Sequence, residues 1–373
     1  MSPINRRHFF LGAAAAAQFR LRAQGPQSRI RAGFIGVGGR GSALLRNTLP
    51  EPGVEIGAVC DIKPDRLDKA ASLASRDNPK TFTQYRELLE QNDIDAVYIA
   101  SPCDLHVEMA IAAVEAGKHV YCEKPVGITA ESIARLLQVV RGAKTVFQVG
   151  QQLRSYPHLR EAVRRVHEGE FGRIIMVKAR RNSSNDLSHE GSSADWFFDA
   201  RRSGDVLVEM SVHNLDLCNW AVQSRPEWSA GVGGALLWVN DPPGRTNMDG
   251  YSLTYEYANG IKMSYSQVFF HPRTLPAGGQ FIHVYTDKGA VDLMATTFHS
   301  HERDVEPVEF VERPEGQPER DAHIQAFFES IRTGKQPPAD ITIGATAALT
   351  AILGREAIYR KRVMHWQELQ VEV

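Results

Sequence analysis

Three short stretches of this chain hold side chains that could act on one substrate together. In VYCEKPVG, residues 120–127, an apolar run ends on Glu123, Lys124 and Pro125. A positioned lysine there could bind a hydroxyl and stabilise the oxyanion as hydride leaves its carbon. Pro125 restricts Lys124 to extended geometry, which fixes where the ammonium points. From these residues alone, a solvated ion pair between neighbours explains Glu123 and Lys124 equally well. In GDVLVEMSVHNLDLCNW, residues 204–220, a helical reading spaces Glu209, His213, Asp216 and Trp220 four, three and four apart, on one face. His213 is then the natural general base at neutral pH, with Glu209 one turn away to orient it and stabilise its charged form. The alternative is a solvated face carrying an i,i+4 pair.

The third stretch, GVGGRG at residues 36–41, fits G-x-G-x-x-G through Gly36, Gly38 and Gly41, with Gly39 and Arg40 between them. The pattern follows a strand and opens a helix, the context that a dinucleotide site requires. Gly36 permits the tight turn, Gly38 lets the backbone approach a pyrophosphate, and Gly41 allows close helix–sheet packing. The helix N-terminus then offers N–H groups to phosphate. Asp61 closes the next strand twenty residues after Gly41, where a carboxylate accepts from the ribose hydroxyls and disfavours a 2′-phosphate. That favours NAD; Lys63 close by weakens the preference, so NADP stays open. Pro64 leaves Asp61 a second role, as a cap of the following helix.

The elements that must position these residues alternate. Strands at 31–38, 54–61, 95–102, 118–125 and 145–151 are near-continuous apolar runs. Helices at 42–49, 64–75, 106–117 and 129–142 separate them, which predicts a parallel sheet covered on both faces. After residue 151 the pattern changes. Strand-like runs at 174–181 and 234–240 precede two hairpin signals, at Asn259-Gly260 and Lys288-Gly289, and helices at 320–333 and 342–362 close the chain. The prediction is α/β: an N-terminal Rossmann dinucleotide-binding domain (29–150) and a C-terminal α+β domain with a largely antiparallel open sheet (151–373), whose last helices can pack back on the first domain.

Composition bounds the partners. The 373 residues are 43% hydrophobic and 23% charged with net charge −1, so no broad field invites nucleic acid or anionic lipid. Cys60, Cys103, Cys122 and Cys218 show no zinc spacing, and the two histidines of His299-x-His301-Glu302, on a polar stretch, do not define a site, so no metal is expected. Residues 1–25 contain Arg6-Arg7, an apolar run too short to span a bilayer, and a small residue at Ala23; they resemble a twin-arginine export signal, which predicts a periplasmic or otherwise exported protein. A disordered basic N-terminus is the alternative.

GVGGRG, Asp61, SPCDLH (101–106), EAGKHVYCEKP (115–125) and EMSVHNLD (209–216) together resemble the Gfo/Idh/MocA oxidoreductases, relatives of glucose–fructose oxidoreductase and inositol dehydrogenase, over about residues 30 to 365. The resemblance implies NAD(P), with Ser101, Pro102, His106, Glu123 and Lys124 joining the glycine loop at the cofactor. It implies a carbohydrate substrate and a homo-oligomer. Lys124 matches the family's catalytic lysine and His213 the histidine of its D-x-x-x-H pattern, with Glu209 in the place of Asp. Arg154, Tyr156 and Trp196 fall where the family lines its sugar pocket. The expected activity is oxidation of a hydroxyl on a sugar, polyol or glycoside with a tightly held cofactor. Relatives that hydrolyse glycosides by transient oxidation, with Tyr156, His189 or Glu190 as a second base, supply another reading, and dinucleotide-binding sensors a third.

Overall fold

The computed structural model describes residues 29–184, 195–276, 279–312 and 321–373; the export-signal segment, His189 and Glu190 lie outside them. The first half is built from β1 (Ile30–Ile35), α1 (Gly39–Thr48), β2 (Val54–Cys60), α2 (Pro64–Leu73), β3 (Lys80–Phe82), α3 (Tyr85–Leu89), β4 (Ala96–Ile99), α4 (His106–Glu115), β5 (His119–Cys122), α5 (Ala130–Arg141) and β6 (Phe147–Val149). Its strands form one parallel sheet in the order β3-β2-β1-β4-β5-β6. β4 is buried along its whole length, as expected of a strand covered on both faces. The order reverses beside β1, so the carboxyl ends of β1 and β4 open the crevice where such sheets take their ligands.

The second half comprises α6 (Pro157–His167), β7 (Ile174–Asn182), α7 (Asp195–Phe198), α8 (Ala200–Ser203), α9 (Val206–Glu209), α10 (Val212–Val222), β8 (Pro226–Gly234), β9 (Gly250–Tyr257), β10 (Lys262–Val268), β11 (Gly279–Thr286), β12 (Gly289–Asp292), β13 (Thr297–Ser300), β14 (Val308–Glu309), α11 (Ala322–Thr333), α12 (Ile341–Arg360) and β15 (Met364–His365). Its strands make a nine-stranded sheet in the order β14-β13-β12-β11-β7-β10-β9-β8-β15. The β7–β10 pair is parallel and the other pairs antiparallel. Both hairpin signals sit between paired strands, β9–β10 and β11–β12. The fold class read from the sequence holds.

Two local readings do not. The expected strand over 234–240 is instead a loop, with β8 ending at Gly234. The buried Asp249 carboxylate takes the amides of Leu236 (2.7 Å), Leu237 (2.9 Å) and Trp238 (2.8 Å), so these donors never join a ladder. The single helix over 204–220 is two helices broken at Met210–Ser211. A continuous helix would give the carbonyls of Glu209 and Met210 to the amides of His213 and Asn214. Instead Lys124 Nζ donates to the first (2.8 Å) and Arg181 Nη1 to the second (3.1 Å).

α11 returns to the first sheet, where Phe327 lies edge-on to Tyr98 (5.5 Å between centroids) and Tyr121 (5.8 Å). α12 is the one helix among the described residues long and apolar enough to cross a membrane, and 78% of that span is buried in the core instead.

Candidate active site

The glycine loop leaves β1 at the head of the crevice. Gly36 has φ +81°, and a Cβ there would lie 2.8 Å from the Ala100 carbonyl carbon at the end of β4. A Cβ on Gly41 would overlap the Gly36 carbonyl oxygen. Gly41→Ala is therefore expected to push the loop off β4, lowering stability by about 1–3 kcal/mol and weakening dinucleotide binding at least about tenfold; a thermal unfolding curve and a cofactor titration check both. α1 begins on Gly38 with no side-chain cap, and no acid stands in its first turn. Its free N–H groups and partial positive charge therefore suit the phosphates of a dinucleotide.

Asp61 is buried at the end of β2. One carboxylate oxygen accepts the Val37 amide of the glycine loop (2.9 Å), and the other accepts the Lys63 amide (2.9 Å). Each oxygen keeps lone-pair capacity for a ribose hydroxyl, so the residue braces the loop and still fits NAD. Arg40, expected at the cofactor, donates Nε to Glu123 (2.7 Å). Glu123 is itself only 4% exposed and receives the Lys124 amide (3.1 Å). These two residues tie the glycine loop to the end of β5 rather than presenting free charges. Ser101 and Pro102 lie in the turn after β4.

His106 has a different place from the one expected. It is 1% exposed, with Nδ1 against the Pro125 carbonyl (2.8 Å) and Nε2 against the Ser101 carbonyl (2.9 Å). Burial holds its pKa below the ordinary histidine range against the pull of both carbonyls. The ring is thus a strut between two site loops and has no nitrogen left for a cofactor.

Lys124 follows β5, and its peptide to Pro125 is cis. Besides the Glu209 carbonyl, its ammonium is bonded to the Glu209 carboxylate. Two of three N–H groups are thereby aimed, leaving the third for a substrate oxygen. Glu209 is consequently the partner of Lys124, not the orienting acid of His213; the helix break removes the i,i+4 relation on which that expectation rested.

His213, the second residue of α10, is held by a residue that spacing did not suggest. Its Nδ1 lies 3.0 Å from Oε1 of Gln151, two residues beyond β6. An amide oxygen there requires the proton on Nδ1, which leaves Nε2 unprotonated and basic. Burial, then the positive charges of Lys124, Arg181 and Arg40, hold the imidazole pKa well below its ordinary value. The base is therefore neutral throughout the physiological range. Gln151 heads the 151–156 segment that the family resemblance places at the sugar pocket, but nothing in the sequence paired it with His213; Arg181, near the end of β7, had no signal at all.

The remaining expected residues divide. Arg154 forks onto Asp216, with Nε 2.8 Å from Oδ2 and Nη2 2.9 Å from Oδ1, and its guanidinium carbon lies 5.0 Å from the Trp220 ring centroid. The Asp216–Trp220 part of the supposed polar stripe is this clamp, so Arg154 is a packing residue and not a free substrate ligand. Tyr156 stands at the start of α6, with its ring 6.0 Å from that of His158. Trp196 packs edge-on to Phe197 (6.1 Å) at the margin of the core. His301 contacts the Thr286 carbonyl (3.1 Å), and no group of three metal-ligating side chains occurs among the described residues.

Residues 30–151 match the family model described as an oxidoreductase family with an NAD-binding Rossmann fold, and residues 159–292 match the Gfo/Idh/MocA C-terminal domain. The chain belongs to the Gfo/Idh/MocA family. The inositol 2-dehydrogenase of Salmonella typhimurium is 30% identical over 202 residues, 51% of this chain and 54% of that protein. A glycosyl hydrolase family 109 protein of Stenotrophomonas maltophilia is 34% identical over 192 residues, 48% of this chain and 42% of that protein. The chain thus spans about half the length of these curated relatives. A solved levoglucosan dehydrogenase in complex with NADH and L-sorbose superimposes with TM-score 0.77 at 21% identity, covering 92% of this chain and 100% of that one. It shares the two-sheet Gfo/Idh/MocA fold. The match over 30–151 makes the first half an NAD-binding Rossmann domain, and the glycine loop, α1 and Asp61 lie within it.

Proposed function

We propose that this Gfo/Idh/MocA protein is an NAD(P)-dependent dehydrogenase acting on a hydroxyl of a sugar, polyol or glycoside. The observation that carries the reading is the convergence of Lys124 and His213 on the α9–α10 break beside the glycine loop. Bound NAD supplies the hydride acceptor. His213 Nε2 takes the hydroxyl proton, and Gln151 keeps that nitrogen unprotonated beforehand. The free N–H of Lys124 holds the same oxygen and stabilises its negative charge as the carbonyl forms. Glu209 fixes the ammonium so that little reorganisation accompanies the step.

The family 109 relative supports a second reading, in which the same pair oxidises a glycoside transiently, the aglycone leaves and the ring is reduced again. The Arg6-Arg7 segment supports export of the folded protein, where free NAD is scarce and a retained cofactor would serve. The uncovered face of the nine-stranded sheet, with Val232 73% exposed beside exposed Ser252 and Thr254, supports a homo-oligomer.

Near-ultraviolet absorbance of the as-purified protein, titrated with free sugars and glycosides and no added NAD, tests the reading. A reduced-nicotinamide band that forms and persists is the expected result. Released sugar without a lasting band would establish the hydrolase instead, and neither signal from protein that yields dinucleotide on denaturation would overturn both.

A further inference from the structure

Along β7, Val177 and Ala179 are buried and Arg181 continues their face, whereas Arg180 lies on the opposite face over the Phe281 ring (4.5 Å). Arg181 therefore points toward the helices, and its Nη1 reaches the Met210 carbonyl (3.1 Å). Lys124 reaches the preceding carbonyl, that of Glu209 (2.8 Å). Two cations thus arrive at consecutive carbonyls of one helix break, three and four residues before His213. Their compensation differs. Lys124 is paired with Glu209, Arg40 with Glu123 and Arg154 with Asp216. Among the described residues no carboxylate pairs with Arg181, and its guanidinium makes one hydrogen bond from five N–H donors.

The surroundings add donors, not acceptors. Gln267, directly across the strand pair from Arg181, is fully buried; its Oε1 takes the hydroxyls of Ser211 (2.6 Å), Tyr251 (2.7 Å) and Tyr265 (3.2 Å), while its Nε2 has no partner. Gln151 likewise gives its oxygen to His213 and leaves Nε2 without one. A half-buried guanidinium with no counter-charge among the described residues, beside the Glu209-paired Lys124 ammonium and a neutral base, is unfavourable until an anion arrives. The shortage is one negative charge, and the planar fork of a guanidinium matches a carboxylate in two parallel hydrogen bonds.

We propose that the substrate is a sugar or polyol bearing a carboxylate, a uronate or aldonate, and that Arg181 is the residue that selects it. This rests on the reading above that a polyol hydroxyl is oxidised. It narrows the substrate class to acids and places the carboxylate on the β7 side of the reacting carbon.

The test uses the NAD-loaded protein with matched probes: glucuronate, galacturonate and gluconate against glucose, galactose and glucitol. Binding by calorimetry and nicotinamide reduction by absorbance are followed for wild type, Arg181→Met and Arg181→Lys. At least one acid is expected to bind and turn over about ten- to a hundredfold better than its neutral partner. Arg181→Met should collapse that ratio toward one, and Arg181→Lys should retain part of it. A purely structural role would lower acids and neutral sugars together with the ratio kept, and that result overturns the proposal. So does wild-type preference for neutral sugars, or failure of all three acids to bind. An acid that binds through Arg181 without reducing nicotinamide supports the proposal while sinking the dehydrogenase reading.

Discussion

Replacing Lys124 with methionine is expected to lower kcat by about three orders of magnitude, about 4 kcal/mol of transition-state stabilisation. The ammonium keeps one N–H free to follow the substrate oxygen while that oxygen gains charge. Methionine keeps much of the stem volume and removes the charge, so the packing beneath β5 should survive. The change also leaves the Glu209 carboxylate, 14% exposed, without its partner. A loss of about 1–3 kcal/mol in stability should accompany the loss of rate. Lys124→Met with Glu209→Gln separates the two effects: stability should recover and kcat should not. NAD affinity serves as the control, because the glycine loop is held by Asp61 and by the Arg40–Glu123 pair. Single-turnover reduction at saturating NAD is the decisive measurement, and a kcat within fivefold of wild type would remove Lys124 from the chemistry.

His213→Asn should be nearly as damaging, with kcat/KM falling about 10²- to 10⁴-fold, the usual contribution of a positioned base. The pH profile is the more discriminating readout. Only the unprotonated imidazole can take the proton, and burial with the neighbouring cations depresses its pKa. In wild type, activity should stay level through neutrality and fall only as the pH drops well below the ordinary histidine range. Gln151→Glu sets a carboxylate against Nδ1 and favours the imidazolium, so the acid limb must move up in pH. Gln151→Leu removes the tautomer control and should lower kcat while leaving the limb low. If Gln151→Glu left the limb where it was, Gln151 would be packing alone.

The separation between what was legible and what was not follows distance along the chain. The glycine loop, Asp61 after the apolar run of β2 and the Asn259-Gly260 hairpin are each marked by a few consecutive residues, even where their partners lie elsewhere, as Val37 does for Asp61. Their signals survive in one dimension. Lys124 was legible because a strand end, an acid and a proline sit together, and His213 because a histidine stands in a mostly apolar segment.

Partnership was another matter. Glu209 and His213 look like neighbours on one helix, but Lys124 and Arg181, from 85 and 29 residues away, take the carbonyls that would have made it continuous. Asp216 looks like part of the same polar stripe and is clamped by Arg154 from 62 residues away. His106 carries a family signature and proves to be a strut. Sequence by itself determined the fold class, the glycine loop after β1 and the two candidate reactive side chains, because local propensity and hydrophobic period suffice to mark those. Which acid faces the lysine, which amide sets the histidine tautomer and which arginine has no counter-charge among the described residues were decided only by tertiary structure, since buried polar groups take the nearest partner in space and that partner carries no mark along the chain.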